Sequence, residues 1–586
     1  MSVQEEQQVS ELAEKDKLAV DRLTALFDDG AFTEIDGYAK SASGDVEAAA
    51  GFGTVNGSPV YAFAQNVHVS GGAISVAQCA KLKKIYDLAT KTGCPVIGIY
   101  DSNGVKLDEG FEALSAYGEL VKASTAMSGV CAQISIIAGS CLGASALMAN
   151  MADVVIAVKD ADFYVTTPSD VTADTCYEQG TVDILADDLD GALTAAKDVV
   201  ALLPGNNLSP APVYDFTAPS VAVDTGASAM DVICAVADAG SVVELKGGYA
   251  THCVTALATV GGTTVGFVAF DGSAVCPACA YKTEAFVKLC DAYNLPILTV
   301  ADADGFVKDA ENAMLTAATR METAYATATC PKIALITSKS IGGAYIALAG
   351  KGANADLTFA WDTAVLSPLD AEAAVAFLYS DRLAAGENRG SLVKEYKETL
   401  ASPYTAAASG AIDDVIAPAD SRAKVMAALD ILAGKRENTL PRKHSVKKSG
   451  GFNIMKNYTI TVNGTAYNVS VEEGTSAAPA AALVAAAPAP AAAPAPAAAP
   501  APAAAPAPAA DTAVTGAVTV ESPMPGTILD IKVASGAAVK SGDVLFVLEA
   551  MKMENEIVAP QDGTVASINV NKGDSVEAGQ TLASLN

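Results

Sequence analysis

Short apolar runs alternate with longer stretches of mixed composition over residues 1–440. Four runs in the first half read VYAFAQNV, PVIGIYD, QISIIAG and DVVIAV. Runs of this length, rich in β-branched residues, favour buried strands, while the Ala-rich segments between them favour helices. The pattern therefore predicts an α/β or mixed fold class.

The same order of segments returns about 200 residues later in the chain. CPVIGIYDSNGV is echoed by LPILTVADADGF, which aligns Asp101 with Asp302. In the next pair of segments Gly143 aligns with Gly343, 200 positions on. We therefore predict two homologous domains, residues 1–225 and 226–440.

Low-complexity sequence follows these domains. Residues 477–510 are almost entirely Ala and Pro, which favours extended polyproline II with a rise of about 3.1 Å per residue and would break a membrane-spanning helix. We assign 476–515 to this linker. Residues 441–475 before it are predicted to form a basic connector and a β-hairpin that turns at Asn463-Gly464.

The last residues, 516–586, alternate apolar and polar positions between Gly and Pro residues, which is typical of short strands. Their two halves repeat at a spacing of 37, so that Gly526 and Leu545 return as Gly563 and Leu582. Two related halves predict a small all-β domain, a flattened barrel or sandwich. EAMKMENEI lies between them, which places Lys552 at an exposed hairpin turn.

Charge and composition narrow the class of function. The chain has 67 acidic and 37 basic residues and a net charge of −30, which argues against nucleic acid as a partner. Its eleven cysteines lie in apolar surroundings without zinc-type spacing, so we expect reduced thiols, no metal site and a cytoplasmic location. The one close pair, Cys276 and Cys279 in CPAC, is interpreted as core packing.

Each repeated domain contains a strand, a Gly-rich turn and an Ala-rich helix. The start of a helix has free backbone N–H groups and a dipole that favours negative charge. Such amides can stabilise an enolate or oxyanion. The alternative is that Gly and Ala only allow close helix–sheet packing, and the repetition of the motif favours the first interpretation.

EAMKMENEI, preceded by PMPGTI and followed by VAPQDGTV, closely resembles the biotin carboxyl carrier domain. The resemblance implies that Lys552 carries covalent biotin and that Met551 and Met553 present it to biotin protein ligase. A lipoyl domain, which shares the architecture but carries a different sequence around its lysine, is the alternative.

Residues 23–430 resemble the acyl-CoA carboxyltransferase family of the crotonase-like fold, through segments such as GTVNGSPVYAFAQNVHVSGGAIS and SKSIGGAYIAL. The resemblance implies an oxyanion hole for the acyl-CoA thioester oxygen in the first domain and one for the biotin ureido oxygen in the second. It also implies a turn beside coenzyme A, whereas an apolar wall at the acyl pocket is suggested by Ile where related enzymes tend to have Asp. The residues concerned, in that order, are Gly143 and Ala144, Gly343 and Ala344, Gly71 and Gly72, and Ile346.

The expected fold class is thus two crotonase-like α/β carboxyltransferase domains plus an all-β biotinyl domain. The expected function is carboxyl transfer between biotin on Lys552 and acetyl-CoA or propionyl-CoA, with a separate biotin carboxylase as partner. One alternative is a decarboxylase subunit acting on methylmalonyl-CoA, malonyl-CoA or glutaconyl-CoA with a membrane sodium-pump subunit; another is an inactive scaffold that carries biotin. Family members self-associate, so a homo-oligomer, trimer or hexamer, is expected.

The direction of transfer and the acyl chain stay open, as does the identity of the cations that hold the coenzyme A phosphates. The candidate cations are Lys81, Lys83, Lys84, Lys106, Lys282 and Lys339.

Overall fold

The computed structural model describes most of residues 17–437 and parts of the C-terminal region. The described residues are 17–41, 44, 46–166, 169–437, 455–462, 465–472, 518–521, 526–534, 536–550, 553–570, 572, 574–576 and 580–586. The chain divides into two compact units, Met1–Ser476 and Ala477–Asn586. The predicted linker at 476–515 lies outside the described residues.

The first half of the first unit alternates strands and helices as the apolar pattern predicts. Its elements are α1 (17–26), β1 (Phe32–Glu34), β2 (Ala48–Val55), β3 (Ser58–Gln65), α2 (Val76–Thr92), β4 (Val96–Ser102), α3 (Gly110–Met127), β5 (Gln133–Leu142), α4 (Ala144–Ala149), β6 (Val154–Val158), β7 (Phe163–Tyr164), α5 (Ala173–Glu178), β8 (Ile184–Ala186) and α6 (Leu189–Leu202).

The second half repeats this order and adds helices before its last strand. Its elements are α7 (Ala229–Val236), β9 (Val243–Leu245), β10 (Cys253–Val260), β11 (Thr263–Phe270), α8 (Pro277–Ala292), β12 (Ile297–Ala303), α9 (Glu311–Thr327), β13 (Lys332–Ile341), α10 (Gly343–Ala349), β14 (Leu357–Trp361), β15 (Val365–Ser367), α11 (Ala371–Leu378), α12 (Ser380–Ala384), α13 (Arg389–Thr399), α14 (Pro403–Ala408), β16 (Asp414–Ile416) and α15 (Ser421–Leu432).

Both halves are built on an eight-stranded sheet with the same strand order. The first sheet runs β1-β2-β3-β4-β5-β6-β8, with β7 beside β5, and the second runs β9-β10-β11-β12-β13-β14-β16, with β15 beside β13. In each sheet the first three strands are antiparallel and the others are parallel. The prediction of two homologous α/β domains is confirmed.

Strand burial and helix caps follow from the local sequence. Residues Gln133 to Ile137 of β5 are all buried, because helices cover both faces of the parallel part of the sheet; the polar Gln133 side chain among them is hydrogen-bonded to Ser124. Helix α2 begins where the Ser75 side chain accepts a hydrogen bond from Gln78 N, and ends at Gly93 with a left-handed φ of 70°.

One apolar core joins the two halves. It contains Leu193 and Val199 from α6, Ile134 from the first sheet and Val287 from α8. A polar contact reinforces it, since the Tyr293 hydroxyl group donates a hydrogen bond to an Asp153 carboxylate oxygen at 2.7 Å. The halves are therefore parts of one packed body.

Two further segments are formed by antiparallel strands. Strands β17 (Met455–Val462) and β18 (Thr465–Glu472) form a hairpin. The second unit holds β19 (Val518–Glu521), β20 (Gly526–Ile531), β21 (Ala538–Val539), β22 (Val544–Ala550), β23 (Met553–Val558), β24 (Gly563–Ile568), β25 (Ser575–Val576) and β26 (Thr581–Leu585).

The strands of the second unit form two four-stranded sheets, β19-β26-β24-β21 and β23-β22-β20-β25. Strands β20, β21 and β22 begin 37 positions before β24, β25 and β26, so the sequence repeat is also a structural repeat. Between the sheets lies an apolar core with Ile528, Leu545, Phe546, Val565 and Leu582. The prediction of an all-β C-terminal domain is confirmed.

Candidate active site

Turns meet at the carboxyl ends of β3 and β4 in the first half, where ligands bind in sheets of this kind. Asn103 N donates a hydrogen bond to Gly71 O at 3.0 Å, and Ile74 N donates one to Gly104 O at 2.9 Å. Lys106 N in turn bonds to Ile74 O. The turn predicted to lie beside coenzyme A thus packs along the turn that follows β4.

Gly72 is required by this packing. Its φ is 69°, and a Cβ atom there would lie 2.0 Å from the backbone oxygen of Asp101. A third turn lies next to these two, because a Cβ atom on Gly104 would approach Leu142 O to 3.1 Å and Ala144 N to 3.9 Å. The predicted residues of the first domain are therefore gathered at one end of the sheet.

Gly143 shapes the turn from β5 into α4. Its φ of 60° and ψ of −123° are unfavourable for any residue with a side chain. Its N–H group already donates to Tyr164 O at 2.9 Å, which conflicts with the prediction that Gly143 donates to a thioester oxygen. Ala144 is the first residue of α4, so its backbone N–H group lies at a helix start, where the helix itself offers it no acceptor.

Gly342, not Gly343, is the counterpart of Gly143. It has φ 59° and ψ −132°, and its N–H group donates to Ser367 O at 2.8 Å. The alignment of Gly143 with Gly343 is therefore wrong by one position, because either glycine of a Gly-Gly pair satisfies a sequence alignment while only one adopts the left-handed turn. Gly343 matches Ala144 as the first residue of its helix.

A chain of hydroxyl groups ties the first-half turns together. The Tyr117 and Ser145 hydroxyl oxygens are 2.7 Å apart, and Ser145 Oγ donates to Ser102 Oγ at 2.9 Å. Ser102 Oγ also accepts a hydrogen bond from Gly104 N at 3.0 Å. All three side chains are buried, so they fix the turn after β4 against the start of α4.

The second half has alanine at the equivalent positions. Ala303 ends β12 as Ser102 ends β4, and Ala344 is the second residue of α10 as Ser145 is of α4. Both alanines are buried. The two halves thus use the same backbone frame with a polar support in one and an apolar support in the other.

An apolar cavity of about 560 Å³ opens at the start of α10. Ile346 is in its wall and is 57% exposed, whereas Ala344 is fully buried. Residues far along the chain close the cavity. Its lining consists of Gly342, Gly343, Tyr345, Ile346, Leu366, Ser367, Pro368, Leu400, Thr405, Ala406, Ser409 and Ala411.

The charged groups differ between the halves. Asp101 forms a buried ion pair of 2.6 Å with Arg22. Its counterpart Asp302 accepts a hydrogen bond from Lys339 N at 3.0 Å, and burial raises the pKa of the Asp302 carboxyl group despite the lowering effect of Lys339. The second-half site therefore has a carboxyl group that is easier to protonate than an exposed one.

Half of the lysines predicted to be candidates for phosphate binding are buried in the fold. Lys81 donates to Ala48 O, and Lys282 donates to Tyr249 O. Lys106 is paired with the buried Glu47 at 2.9 Å. Those three are structural, which leaves Lys83, Lys84 and Lys339 as the exposed or half-exposed members of the set.

The second unit presents the strand hairpin that the biotin motif requires. Strands β22 and β23 are antiparallel, and their last pair is Ala550 with Met553. The chain therefore reverses between those two residues. Met551 and Lys552 lie outside the described residues, so the exposure predicted for Lys552 stays a prediction.

The part of the chain that the structure describes contains neither a metal-binding cluster nor a membrane-spanning helix. No group of three or more His, Cys, Asp or Glu side chains is arranged to hold a metal ion there. Within the same residues, no helix combines the length and apolar character needed to cross a membrane. His252 pairs with Asp271 at 2.8 Å and is largely exposed.

Comparison with known protein families agrees with these two units. Residues 10–447 match the carboxyl transferase domain model, and residues 518–585 match the model of the biotin-requiring enzymes. The chain belongs to the carboxyl transferase family. It is a biotin-dependent acyl-CoA carboxyltransferase, which confirms the predicted enzyme class and the biotin and acyl-CoA requirement.

The relatives of this carboxyltransferase include proteins named as a carboxylase and as a decarboxylase. It is 34% identical over 432 residues to the methylmalonyl-CoA carboxyltransferase 12S subunit of Propionibacterium freudenreichii subsp. shermanii, covering 67% of this chain and 82% of the relative. It is 32% identical to the propionyl-CoA carboxylase beta chain of Saccharopolyspora erythraea, with 73% and 90% covered. It is 31% identical to the methylmalonyl-CoA decarboxylase subunit alpha of Veillonella parvula, with 73% and 92% covered.

The carboxyltransferase also superposes on a solved structure of transcarboxylase 12S, a hexamer with methylmalonyl-CoA bound. The TM-score is 0.69 at 31% identity, and the match covers 77% of this chain and 100% of that one.

Sequence reasoning missed the Tyr117–Ser145–Ser102 chain and the cavity wall formed by residues 400–411. No local motif marks either, because their members are brought together only by the sheet and by α14.

Proposed function

We propose that this chain moves a carboxyl group between biotin on Lys552 and the α-carbon of a short-chain acyl-CoA, acetyl-CoA or propionyl-CoA. The observation that carries the proposal is the pair of equivalent turns at Gly143 and Gly342, each opening a short helix at the same end of its sheet. The relatives named for propionyl-CoA and methylmalonyl-CoA support a substrate of this size.

The first-half turns are assigned to the acyl-CoA. Ala144 N–H is the proposed donor to the thioester oxygen, and removing one donor of this kind costs about 3 kcal/mol of transition-state stabilisation in other enzymes. Gly71 and Gly72 are assigned to the coenzyme A side. The hydroxyl chain that ends at Ser102 keeps Ala144 in place relative to the turn after β4.

The second-half turn is assigned to the biotin ureido oxygen, with Gly343 and Ala344 as N–H donors. Bound biotin supplies the ring nitrogen atom that carries the carboxyl group to or from the acyl-CoA. The adjacent cavity of about 560 Å³ is large enough for a small ring system and is mostly apolar. Carboxyl transfer requires the acyl α-carbon to come next to the biotin ring, so Ile346 in the wall of this cavity is the proposed limit on acyl-chain size.

We assign the direction to acyl-CoA carboxylation, with an ATP-dependent biotin carboxylase as a separate partner in the cytoplasm. The second candidate is decarboxylation with a membrane sodium-pump subunit, which is favoured by the similarity to decarboxylase alpha subunits. A homo-oligomer, with the hexamer of the superposed structure as its pattern, and a biotin protein ligase belong to either proposal.

The chemistry can be tested with the purified, biotinylated chain. Malonyl-CoA, methylmalonyl-CoA and glutaconyl-CoA are each supplied with free biotin as acceptor, and the decarboxylated acyl-CoA is measured by chromatography. We expect transfer from malonyl-CoA or methylmalonyl-CoA. Absence of transfer from all three would overturn the proposal in favour of the biotin-carrying scaffold.

The direction can be tested in a second experiment with the same chain. A purified biotin carboxylase, ATP and bicarbonate are added with acetyl-CoA or propionyl-CoA. Product formation supports the carboxylase assignment. Failure here, together with sodium-dependent decarboxylation when membranes that contain the pump subunit are added, would transfer support to the decarboxylase.

A further inference from the structure

Two cysteines stand at the start of α8 with their sulfur atoms 3.0 Å apart. Cys276 is the residue that caps the helix, where its Sγ atom accepts a hydrogen bond from Cys279 N at 3.3 Å. Cys276 is partly exposed and Cys279 is fully buried. Cys279 is part of the apolar core and Cys276 packs against it, as the sequence predicted, but Cys276 also caps the helix and is partly exposed.

Helix capping does not explain a thiol at this position. In the first half, Ser75 caps α2 in the same way, with Oγ accepting from Gln78 N at 3.2 Å. Ser75 and Gln78 occupy the places that Cys276 and Cys279 occupy in the second half, one residue before and three residues into the helix. Serine is among the best caps, whereas cysteine is not.

The surroundings favour a thiolate on the exposed member. The hydrogen bond between the two thiol groups lowers the pKa of Cys276, and the backbone N–H groups of Cys279 and Ala278 and the charge of His252 act in the same direction against burial. The hydrogen bond to Asp271 raises the pKa of His252, which favours the charged form of its ring. The same contact to Cys276, together with burial, raises the pKa of Cys279.

No other cysteine in the described chain has this combination. All eleven are free thiols, and only Cys94, Cys234 and Cys276 are partly exposed. Burial raises the pKa of several others, which disfavours the reactive thiolate form. Those thiols are Cys79, Cys131, Cys141, Cys176, Cys253, Cys290 and Cys330.

We propose that Cys276 and Cys279 form a redox-active dithiol that exchanges with small-molecule disulfides. Cys276 attacks one sulfur of the disulfide, forms a mixed disulfide and releases one thiol. Cys279 then attacks Cys276 Sγ, closes the internal disulfide and releases the second thiol. Two electrons and two protons leave the protein, and both appear in the two small thiols that are formed.

The dithiol lies next to the second-half turns. Val275 N donates to Gly305 O at 2.9 Å, and Val307 N donates back to Val275 O at 3.1 Å. Between them, the Phe306 ring lies 2.8 Å from where a Cβ atom on Gly343 would be. Cys276 thus directly follows Val275 of this backbone bridge, and Phe306 within the bridge contacts the first residue of α10, so this modification borders the site assigned above.

The first experiment uses the full chain and reduced and oxidised glutathione in fixed ratios at pH 7. Thiols are trapped by acid and alkylation and then assigned by peptide mass spectrometry. We expect a reversible Cys276–Cys279 disulfide, with Cys94 and Cys234 still reduced. Absence of the internal disulfide under ratios that oxidise a thioredoxin control, or oxidation confined to other cysteines, would overturn the proposal.

The second experiment measures nucleophilicity on the folded chain with limiting iodoacetamide. We expect Cys276 to react on the order of tenfold faster than Cys94 or Cys234, because a depressed pKa increases the thiolate fraction at pH 7. Equal rates at the three partly exposed sites would contradict the proposed thiolate.

Two variants separate the roles of the pair. Cys279→Ser removes the resolving thiol, so oxidised glutathione is expected to remain attached at Cys276. Cys276→Ser restores the hydroxyl cap found at Ser75 and abolishes both products, while Cys94→Ser changes neither. Thermal unfolding followed by circular dichroism checks that each variant folds. A folded Cys279→Ser protein without the mixed disulfide would refute the exchange mechanism.

Discussion

The hydroxyl oxygens of Tyr117 and Ser145 lie 2.7 Å apart in the first half of the carboxyltransferase unit. The Ser145 hydroxyl group donates a hydrogen bond to Ser102 Oγ, which also accepts one from Gly104 N. This buried chain connects α3, the start of α4 and the turn after β4. It belongs to the first half, because alanines occupy the places of Ser102 and Ser145 in the second.

The first prediction concerns this chain. Ser145→Ala leaves the Tyr117 and Ser102 hydroxyl groups without their shared partner, so we expect the free energy of unfolding to fall by about 1–2 kcal/mol. Tyr117→Phe should cost about 1 kcal/mol. Urea denaturation of the single and double variants measures both. The double variant should lose less than the sum, since the residues act as one network; strict additivity would contradict the network.

The second prediction separates backbone strain from side-chain contact at the turns. Gly143→Ala meets no atom within 4 Å but places alanine at a left-handed φ of 60°, so we expect a loss of about 1–3 kcal/mol in stability together with slower carboxyl transfer. Gly118 in α3 also has open space, but no positive φ.

Gly118→Ala is therefore the matched control, expected to be neutral or stabilising by up to about 1 kcal/mol because alanine favours helices. Thermal unfolding and the free-biotin assay are applied to both variants. A Gly143→Ala protein with the stability and activity of Gly118→Ala would show that the left-handed turn is not required.

The third prediction concerns the attachment of biotin. Lys552→Arg keeps the positive charge but cannot form the amide, so we expect complete loss of streptavidin binding and of transfer to the chain itself. Transfer to free biotin should persist, because the turns of the first unit are unchanged. Lys540→Arg, an exposed lysine of the same unit, is the control and should retain biotin. Biotin on the Lys552→Arg protein would place the attachment site elsewhere.

The fourth prediction concerns a buried carboxylate and pH. Asp238 accepts hydrogen bonds from Gly261 N, Gly262 N and Arg422 at 2.6–3.0 Å. Burial opposes ionisation, but these donors together lower the pKa of Asp238. Its stabilising effect is therefore fully present above the pKa of an unfolded aspartate, about 3.9, and is lost as pH falls through the lower folded value.

Asp238→Asn should consequently cost about 3 kcal/mol at pH 7, since it leaves Arg422 unpaired in a partly buried position. The difference from the wild-type protein should shrink as pH is lowered below about 4. Urea denaturation across this range measures it, with the exposed Glu119→Gln as control. A cost that is constant with pH would mean that the charge of Asp238 is not what stabilises the contact.

Particular residues show where sequence reasoning ended. The repeat of about 200 residues correctly predicted two related domains, yet it misplaced the second turn by one residue because Gly342 and Gly343 are interchangeable in an alignment. Lys81, Lys106 and Lys282 looked available to phosphates until the structure showed each of them buried on carbonyl or carboxylate oxygens. The Cys276 thiol packs against the core as predicted, but the sequence did not show that it also caps a helix.

The sequence by itself determined the strands, the helices, both internal repeats and the biotin motif around Lys552. Each of those features is carried by short stretches of neighbouring residues, and the repeats by the return of such stretches later in the chain, so periodicity, turn residues and self-comparison reveal them. Only the tertiary structure decided which N–H groups are already bonded, which lysines are buried, and that Ser102, Tyr117 and Ser145 share one hydroxyl chain. Such contacts join residues that are far apart in sequence, and the register of the sheet and the packing of helices on it bring them within hydrogen-bonding distance.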